Sequence, residues 1–274
     1  MSPLRLGTRG SALALAQARW VAARLPGEVE LIEIATAGDA DRAAGDKSRW
    51  TAALEWALLH DAIDVAVHSA KDVPGELAEG TAIVAVPPRA DARDVVVGEL
   101  RPRARVGTSS LRRRAQLLAS RPDLEVVELR GNVDTRLRKL AAGEVDALVL
   151  AAAGLARLGR SDVGAVPLEG DMFVPAPGQG FLVVQALEAV ALDSVDDADA
   201  HAVLDAERAV VARLGASCHT PVGVHFDGSL MRGFVGLPDG SEWLVDEAGD
   251  PDSLAERMLS AGAADLLART ERMA

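Results

Sequence analysis

Short runs of β-type sequence alternate along the chain with amphipathic helical runs. "PLRLGT" and "VELIEIAT" predict strands, and between them Leu13, Ala16 and Trp20 recur at near-helical spacing. The alternation continues through "IDVAVHS", "TAIVAV", "RDVVVG", "ARVGTS", "LEVVELRG" and "VDALVLAAAG", with helices predicted over Leu111–Ser120 and Val133–Ala142. Strands separated by helices in this order predict α/β units with parallel-rich sheets.

The C-terminal part of the chain has a different pattern. A helix is predicted from about Ala200 to Leu214, followed by the hairpin pattern "VGVHFDG", "SLMRGFVG" and "SEWLVD", and one final helix from Asp252 to about Arg269. We therefore predict an α/β protein with two lobes and a smaller C-terminal α+β domain. The predicted boundaries are residues 1–88 with 178–197 for the first lobe, 89–177 for the second lobe and 198–274 for the C-terminal domain.

Length and composition agree with a globular protein of more than one domain. The chain has 274 residues, of which 49% are hydrophobic and 26% charged. We expect no secretory signal, because "MSPLRLGTRG" lacks a basic region followed by an apolar one, and no apolar run is long enough to cross a bilayer. The single cysteine excludes an intramolecular disulfide framework and favours a cytoplasmic location.

Charge and motifs exclude several classes of partner. The net charge is −12 and aromatic residues are only 3%, so we expect no nucleic-acid partner. The five histidines and one cysteine show no metal-ligand spacing, and the P-loop and GxGxxG patterns are absent, so we expect neither a metal nor a nucleotide cofactor. Nothing in the sequence requires an interface, and we expect a monomer.

Arginines are nevertheless concentrated in one central segment, between Arg101 and Arg138. Three of them, in "SSLRRRAQ", stand in the first turn of a predicted helix, where the helix dipole disfavours cations. A bound carboxylate or phosphate would offset that cost. A basic segment in an acidic protein therefore predicts a local site for a small anion, although solvated surface arginines remain the alternative.

Polar residues also follow the predicted strands "VAVHS", "RVGT" and "VVEL". Ser69, Lys71 and Asp72 follow the first, and Arg130 follows the third. Because ligands of open α/β sheets bind beyond the carboxyl ends of the strands, these positions are candidates for a binding site. For Asp72 alone, a turn-forming role before Val-Pro is the alternative.

The cysteine lies in "GASCHTPVG". Taken alone, Cys218 has four interpretations: a small buried apolar residue, a nucleophile, a metal ligand or a covalent anchor. His219 is its neighbour, but adjacent side chains in an extended segment point to opposite faces. A Cys-His hydrolase pair is therefore disfavoured.

Seven segments together change the interpretation of the chain: "LGTRGSALALAQA", "DVAVHSAKDVP", "VGTSSLRRRAQL", "LRGNVDTRLRKL", "LVLAAAGLARLG", "PAPGQG" and "CHTPVG". In this order they resemble the porphobilinogen deaminase (hydroxymethylbilane synthase) family over nearly the whole chain. The resemblance implies two lobes like those of periplasmic binding proteins and a third domain bearing the cysteine. It also implies a dipyrromethane cofactor, joined to Cys218 by a thioether, onto which four porphobilinogen molecules are condensed head to tail with loss of ammonia. Linear hydroxymethylbilane is then released for tetrapyrrole synthesis.

The resemblance also implies roles for individual residues. Asp72 corresponds to the catalytic carboxylate and Lys71 to a catalytic lysine that contacts the substrate, while Cys218 anchors the cofactor and the remaining positions bind the cofactor or the substrate. The implied cofactor-binding residues are Cys218, Ser69, Lys47, Thr108, Ser109, Ser110, Arg112 and Arg113, and the implied substrate-binding residues are Arg9, Ser11, Arg130, Arg136, Arg157 and Gln179.

Some positions depart from the family pattern. "GDKSRW" stands where the family usually has a glycine-rich G-K-G-L-F loop, with Lys47 and Trp50 at the lysine and aromatic positions. Ser217 replaces a glycine before the cysteine, and Ala37 stands where arginine is common. The rival interpretation is therefore a non-catalytic, two-lobed binder of a small polycarboxylate.

Overall fold

A computed structural model describes residues 2–36, 48–188, 190, 192–216 and 220–273. The chain divides into two compact units, each built from two separate stretches of sequence. The first unit comprises Met1–Ala90 with Gly180–Ala202, and the second comprises Asp91–Gln179 with Val203–Ala274. No helix within the described ranges is long and apolar enough to cross a membrane.

The secondary structure follows the predicted order closely. The strands are β1 (Leu4–Thr8), β2 (Val29–Glu33), β3 (Val65–Ser69), β4 (Thr81–Ala85), β5 (Asp94–Gly98), β6 (Arg105–Thr108), β7 (Glu125–Glu128), β8 (Ala147–Ala151), β9 (Val166–Pro167), β10 (Leu182–Leu187), β11 (Val222–Phe226), β12 (Met231–Gly236) and β13 (Trp243–Ala248). The helices are α1 (Ala12–Ala22), α2 (Ser48–Leu59), α3 (Leu111–Ser120), α4 (Val133–Ala141), α5 (Ala152–Arg157), α6 (Ala198–Arg213), α7 (Pro251–Ser260) and α8 (Ala263–Met273). Short 3₁₀ turns lie at Ala70–Asp72 and Ser161–Val163.

The first unit contains a five-stranded sheet in the order β2-β1-β3-β10-β4. β1 runs parallel to β2 and β3, whereas β10 runs antiparallel to both of its neighbours. Leu6, Val67 and Val184 lie in a buried cluster with residues of α1, while Leu54 and Leu58 of α2 lie in a second cluster with Ala66. α2 buries an apolar side, whereas α1 buries Ala18 and Val21 and leaves the predicted stripe of Leu13, Ala16 and Trp20 only half-buried.

The second unit repeats this arrangement in a sheet of order β7-β6-β8-β5-β9. β6 is parallel to β7 and β8, and β5 is the antiparallel strand. Apolar residues from the strands lie in two separate buried clusters, one with Leu137 of α4 and one with Leu117 of α3. The predicted α/β class with parallel-rich sheets is confirmed, with one antiparallel strand in each sheet.

The C-terminal sequence forms the antiparallel sheet β11-β12-β13, as predicted. The single final helix predicted from Asp252 to about Arg269 is wrong. The segment forms two helices, α7 and α8, because Gly262 between them has a φ of +102°, which ends a right-handed helix. Asp250 caps α7 by accepting a hydrogen bond from the Ser253 amide at 2.9 Å.

This sheet and the lobe before it form one compact unit rather than two. Phe234 of β12 is fully buried in a cluster with Ala115 of α3 and Val174. Arg114 of α3 also donates to the Pro238 carbonyl at 3.2 Å. The three-domain boundaries stay a prediction, since the described contacts unite residues 203–274 with the second lobe.

The β12–β13 turn approaches α3 at Gly240. Its φ is +73°, and an added Cβ would lie 2.6 Å from the Leu118 carbonyl carbon and closer still to the Ala119 amide. We expect Gly240→Ala to lower the free energy of unfolding by about 2–4 kcal/mol, through left-handed strain and overpacking against helix backbone. Urea unfolding measures this cost.

Gly228→Ala is the matched control for that substitution. Gly228 also lies in a hairpin turn with φ +96°, but an added Cβ would meet nothing within 4 Å. It should cost only the strain, about 1–2 kcal/mol. Equal losses in the two variants would show that the contact with α3 adds nothing.

Candidate active site

The first unit has a cleft at the carboxyl ends of β1 and β3. Its volume is about 410 Å³ including its open mouth. Four of the predicted site residues line it, namely Arg9, Ser11, Ser69 and Asp72. The parallel pairing of β1 and β3 explains this, because their carboxyl ends lie at one edge of the sheet.

A tight turn places Asp72 in this cleft. The chain leaves β3 at Ser69, forms the 3₁₀ turn Ala70–Asp72 and returns to an extended conformation at Val73, before Pro74. The Ala70 amide donates to the Phe181 carbonyl at 3.1 Å and holds the turn against the segment before β10. Lys71 lies in the same turn and is half-buried.

The two cleft hydroxyls are held by helix α1. Ser11 is its N-cap and accepts a hydrogen bond from the Ala14 amide at 3.2 Å. Ser69 accepts one from Gln17 Nε2 at 2.9 Å. Each hydroxyl therefore has a fixed oxygen, and each O–H can donate to an acceptor such as a carboxylate.

Arg9 and Trp50 form another part of the cleft lining. The Arg9 guanidinium carbon lies 3.9 Å from the centre of the Trp50 ring, within cation–π distance. Trp50 and the buried Thr51 belong to the first turn of α2. Trp50, which stands at the aromatic position of the altered "GDKSRW" segment, therefore lines the cleft. Lys47 and Ala37 lie outside the described residues.

His68 also lines the cleft, and sequence reasoning gave it no role. It is 6% exposed, and burial lowers its pKa to about 4. A contact with Gln185 and the negative charge of Asp72 act in the opposite direction, while the charge of Arg9 adds to the lowering. The imidazole is therefore neutral at pH 7. The sequence feature that could have pointed to His68 is a histidine inside the buried strand "VAVHS".

This lowered pKa makes stability depend on pH. Below pH 6.5 the unfolded chain binds a proton at His68 more readily than the folded one, so the stability present above pH 6.5 is lost as pH falls towards 4. Between pH 7 and pH 5 we expect a loss of about 2 kcal/mol from this group. Urea unfolding of wild type and His68→Gln at both pH values isolates it. A difference between the two proteins that does not change with pH would contradict the assignment.

The second unit brings basic residues to the carboxyl edge of β6, β7 and β8. Arg136 donates to Ser109 Oγ at 2.9 Å and to the Gly131 carbonyl at 2.8 Å, and Arg130 pairs with Glu128 at 2.6 Å. Burial lowers the pKa of Arg136 and of Arg157 to about 10, and the charge of Arg113 adds to the effect on Arg136. We call Ser109, Arg130, Arg136 and Arg157 the basic edge.

Burial is the largest cause of both lowered pKa values, so these two guanidinium groups have lost much of their contact with water. Among the described residues no carboxylate lies within 4 Å of the Arg136 guanidinium. Arginine binds carboxylates through paired N–H donors, so the basic edge fits an acidic ligand. The remaining predicted hydroxyls are engaged locally. Thr108 Oγ1 accepts from the Ser110 amide at 3.2 Å, and Ser110 caps α3.

Arg112 and Arg113 point into the protein instead. Both are buried against Asp94, at 2.7 Å and 2.8 Å. Gln179 donates to the same carboxylate at 2.9 Å and to the Ala92 carbonyl. Burial alone would raise the pKa of Asp94, but the two arginines hold it well below its usual range.

This network corrects one expectation. The cost of placing arginines at the start of α3 is offset for Arg112 and Arg113 by the internal carboxylate of Asp94, not only by an external anion. Their predicted contact with the cofactor, and that of Gln179 with the substrate, stay predictions. The sequence analysis missed Asp94. The feature that could have pointed to it is an acidic residue at the start of the apolar run "RDVVVG".

Cys218 lies outside the described residues, as do Ser217 and His219. The elements on either side are firmly held. Glu207 of α6 is fully buried and accepts hydrogen bonds from the Gly178 amide at 2.7 Å and the Phe226 amide at 2.9 Å. In the described part of the chain, no cluster of three histidine, cysteine or acidic side chains could hold a metal ion.

Each unit by itself has donors that suit a small, acidic organic ligand, namely Arg9 with hydroxyls in the first unit and partly buried arginines in the second. Residues 4–192 match the family model "Porphobilinogen deaminase, dipyromethane cofactor binding domain", and residues 202–259 match "Porphobilinogen deaminase, C-terminal domain". The chain belongs to the porphobilinogen deaminase family.

Curated relatives agree over the full length. A porphobilinogen deaminase of Desulforudis audaxviator is 46% identical over 299 residues, covering 96% of each chain. Those of Roseiflexus castenholzii and Deinococcus deserti are 44% and 43% identical, covering 97% and 93% of this chain and 98% and 93% of their own. Among solved structures, an ABC transporter protein from Parabacteroides distasonis covers 78% of this chain and 74% of its own, at 14% identity and a TM-score of 0.42.

The residues present fit the dipyrromethane group of this family. Each of its pyrroles carries an acetate and a propionate, which need donors and positive charge. The basic edge supplies both, since Arg136 and Arg157 are desolvated cations and Ser109 is exposed beside Arg136.

Proposed function

We propose that the protein condenses four porphobilinogen molecules, head to tail, onto a dipyrromethane bound through Cys218, and releases hydroxymethylbilane and ammonia. The observation that supports this most is the cleft of the first unit, where Asp72 lies with two fixed hydroxyls and Arg9. A binder of polycarboxylates needs the cations and hydroxyls but has no use for an additional carboxylate, which repels its ligand.

Asp72 is proposed to act on the nitrogen-bearing part of the substrate. Loss of ammonia leaves positive charge on the pyrrole, and a carboxylate fixed in a partly buried cleft stabilises that charge without having to reorganise. The same carboxylate can accept and return a proton as the new bond forms. Lys71, in the same turn, is proposed to bind a substrate carboxylate.

Arg9, Ser11 and Ser69 are proposed to orient the substrate through its acetate and propionate. Arg9 lies over the Trp50 ring and the hydroxyl oxygens are fixed by α1, so these donors are preorganised for an anion. Precise placement of the reacting carbon is what such positioning contributes to the rate.

Arg130, Arg136, Arg157 and Ser109 are proposed to hold acidic side chains of the bound pyrroles at the basic edge. When bound, the dipyrromethane supplies the nucleophilic pyrrole carbon to which substrate is added. Arg112 and Arg113 are proposed to act on the bound cofactor, and Gln179 on the substrate, through the buried network that they share with Asp94. We infer a cytoplasmic monomer without nucleic-acid or membrane partners, which its charge of −12 supports.

The intact mass of the purified protein tests the proposal. We expect wild type to be heavier than its sequence by two linked pyrrole units, and Cys218→Ser to have the unmodified mass and no turnover. Ser229→Ala is the matched control, because Ser229 is exposed in the same unit and, among the described residues, bonds to Asp227 of its own turn. It should keep both the adduct and the rate of ammonia release.

An unmodified wild-type chain would contradict the proposal. If such a chain still bound an acidic pyrrole, measured by calorimetry, the non-catalytic binder would be the better description.

A further inference from the structure

Two buried polar atoms in the first unit have no hydrogen-bond partner within the described residues: His68 Nε2 and Gln185 Oε1. An unpaired buried polar atom destabilises the fold, so each such atom needs an explanation. His68 lines the cleft that holds Asp72, which links this pair to the chemistry of the site.

The two side chains are neighbours on one face of the sheet. In the antiparallel pairing of β3 and β10, His68 lies opposite Val183 and Ala66 lies opposite Gln185. His68 and Gln185 are therefore diagonal neighbours, two positions apart on the same face. Their contact is close enough for Gln185 to raise the pKa of His68 against the larger effect of burial.

The hydrogen bonds of Gln185 show which end of its amide is left over. Its Nε2 donates to Glu55 Oε1 at 3.0 Å and to Thr81 Oγ1 at 2.8 Å. Both N–H groups are thus used, and only the acceptor Oε1 remains. His68 Nε2 and Gln185 Oε1 do not meet hydrogen-bond geometry, but two acceptors side by side in a buried place would repel each other, so the favoured neutral form of His68 carries its hydrogen on Nε2.

This tautomer leaves Nδ1 without a hydrogen. Nε2 is the fully buried ring nitrogen, so Nδ1 is the nitrogen left for the cleft that His68 lines. The cleft therefore offers two acceptors for nitrogen-bound hydrogens, a neutral Nδ1 and the carboxylate of Asp72. Among the other polar side chains that line it, Arg9 and the hydroxyls of Ser11 and Ser69 are suited to donate to carboxylates.

We propose that His68 is a substrate-binding residue whose Nδ1 accepts a hydrogen bond from the protonated aminomethyl group of porphobilinogen, beside Asp72. A pyrrole N–H has one hydrogen and needs one acceptor, whereas an ammonium has three and can bind both acceptors at once. A neutral imidazole adds this second acceptor without adding a positive charge that would repel the ammonium. The inference rests on the proposed function.

Substitution of His68 by asparagine or by glutamine tests the roles of the two ring nitrogens separately. His68→Asn places an acceptor near the position of Nδ1, and His68→Gln places its polar end near Nε2. We expect His68→Gln to raise KM for porphobilinogen about tenfold to a hundredfold, the cost of one hydrogen bond to a charged group, and His68→Asn to recover most of that loss. His60→Gln, in an exposed histidine after α2, should leave KM unchanged.

A substrate analogue distinguishes binding of the amine from a structural role. In this analogue a methyl group replaces the aminomethyl group, and its inhibition constant is measured with each variant. We expect the analogue to bind wild type and His68→Gln within about twofold. Nitrogen NMR of wild type should show a neutral His68 with hydrogen on Nε2.

Three results would overturn the inference: an unchanged KM in His68→Gln, an equal loss of affinity for substrate and analogue, or hydrogen on Nδ1. The proposed function fails separately, when wild type has neither adduct nor turnover.

Discussion

Asp72→Asn is expected to lower kcat by about two to four orders of magnitude, the usual contribution of a positioned acid–base group. Asparagine has the same shape and can still occupy the turn between Ala70 and Val73, so the fold of the cleft should survive. It lacks the negative charge that offsets the cation left by loss of ammonia. The rate of ammonia release at saturating porphobilinogen measures the effect.

Two variants serve as controls for this substitution. Asp72→Glu keeps the charge and should lose less activity than Asp72→Asn. Glu76→Gln removes an exposed carboxylate four residues further along and should leave kcat within about twofold. Near-normal turnover by Asp72→Asn, with wild-type unfolding behaviour, would mean that another group does the acid–base work.

Asp94→Asn is expected to lower the free energy of unfolding by about 3–5 kcal/mol, because it leaves two buried guanidinium groups without a counter-charge. Arg112 and Arg113 are 4% and 7% exposed, so water cannot replace the lost carboxylate. Their other hydrogen bonds, to the Val174 and Val149 carbonyls and to the side-chain oxygens of Gln116 and Gln179, do not neutralise charge. Urea unfolding gives the loss.

Asp91→Asn is the matched control. It breaks a pair of similar length with Arg93, at 2.7 Å, but both side chains are more than a third exposed. An exposed pair contributes at most about 1 kcal/mol. If Asp94→Asn cost no more than Asp91→Asn, the buried network would not be a structural anchor.

Local patterns predicted most of the fold, and pairing over long distances explains what they missed. The bounds of α3 were predicted to the residue, since Ser110 caps it and Arg121 leaves helical geometry. The antiparallel direction of β10 could not be predicted, because its partner β3 lies more than a hundred residues earlier and its own sequence is uniformly apolar apart from Gln185.

The same limit applies to the charged residues of the site, since local patterns do not show partners that are distant in sequence. The strand-end pattern and the family resemblance together predicted that Asp72, Arg9, Ser11 and Ser69 belong to one site, and all four line the cleft. The sequence does not show that Arg112 and Arg113 turn inward, because their partner Asp94 is distant in sequence and lies at the start of an otherwise apolar strand. The role of His68 was missed for a related reason, because its burial and its contact with Gln185 depend on the fold and are not visible in the local sequence.

The insertion of β10 between β3 and β4 has a consequence for synthesis of the chain. The middle sheet, β5 to β9, draws all its strands from residues 94–167 and can assemble as soon as that stretch has left the ribosome. The first sheet begins earlier but lacks an interior strand until residues 182–187 emerge. During that interval the edges of β3 and β4 have unpaired backbone groups open to wrong partners. The sheet that carries Asp72 is thus translated first but completed only after all strands of the sheet β5 to β9 have been made, and during that interval its open strand edges are exposed to chaperones and aggregation.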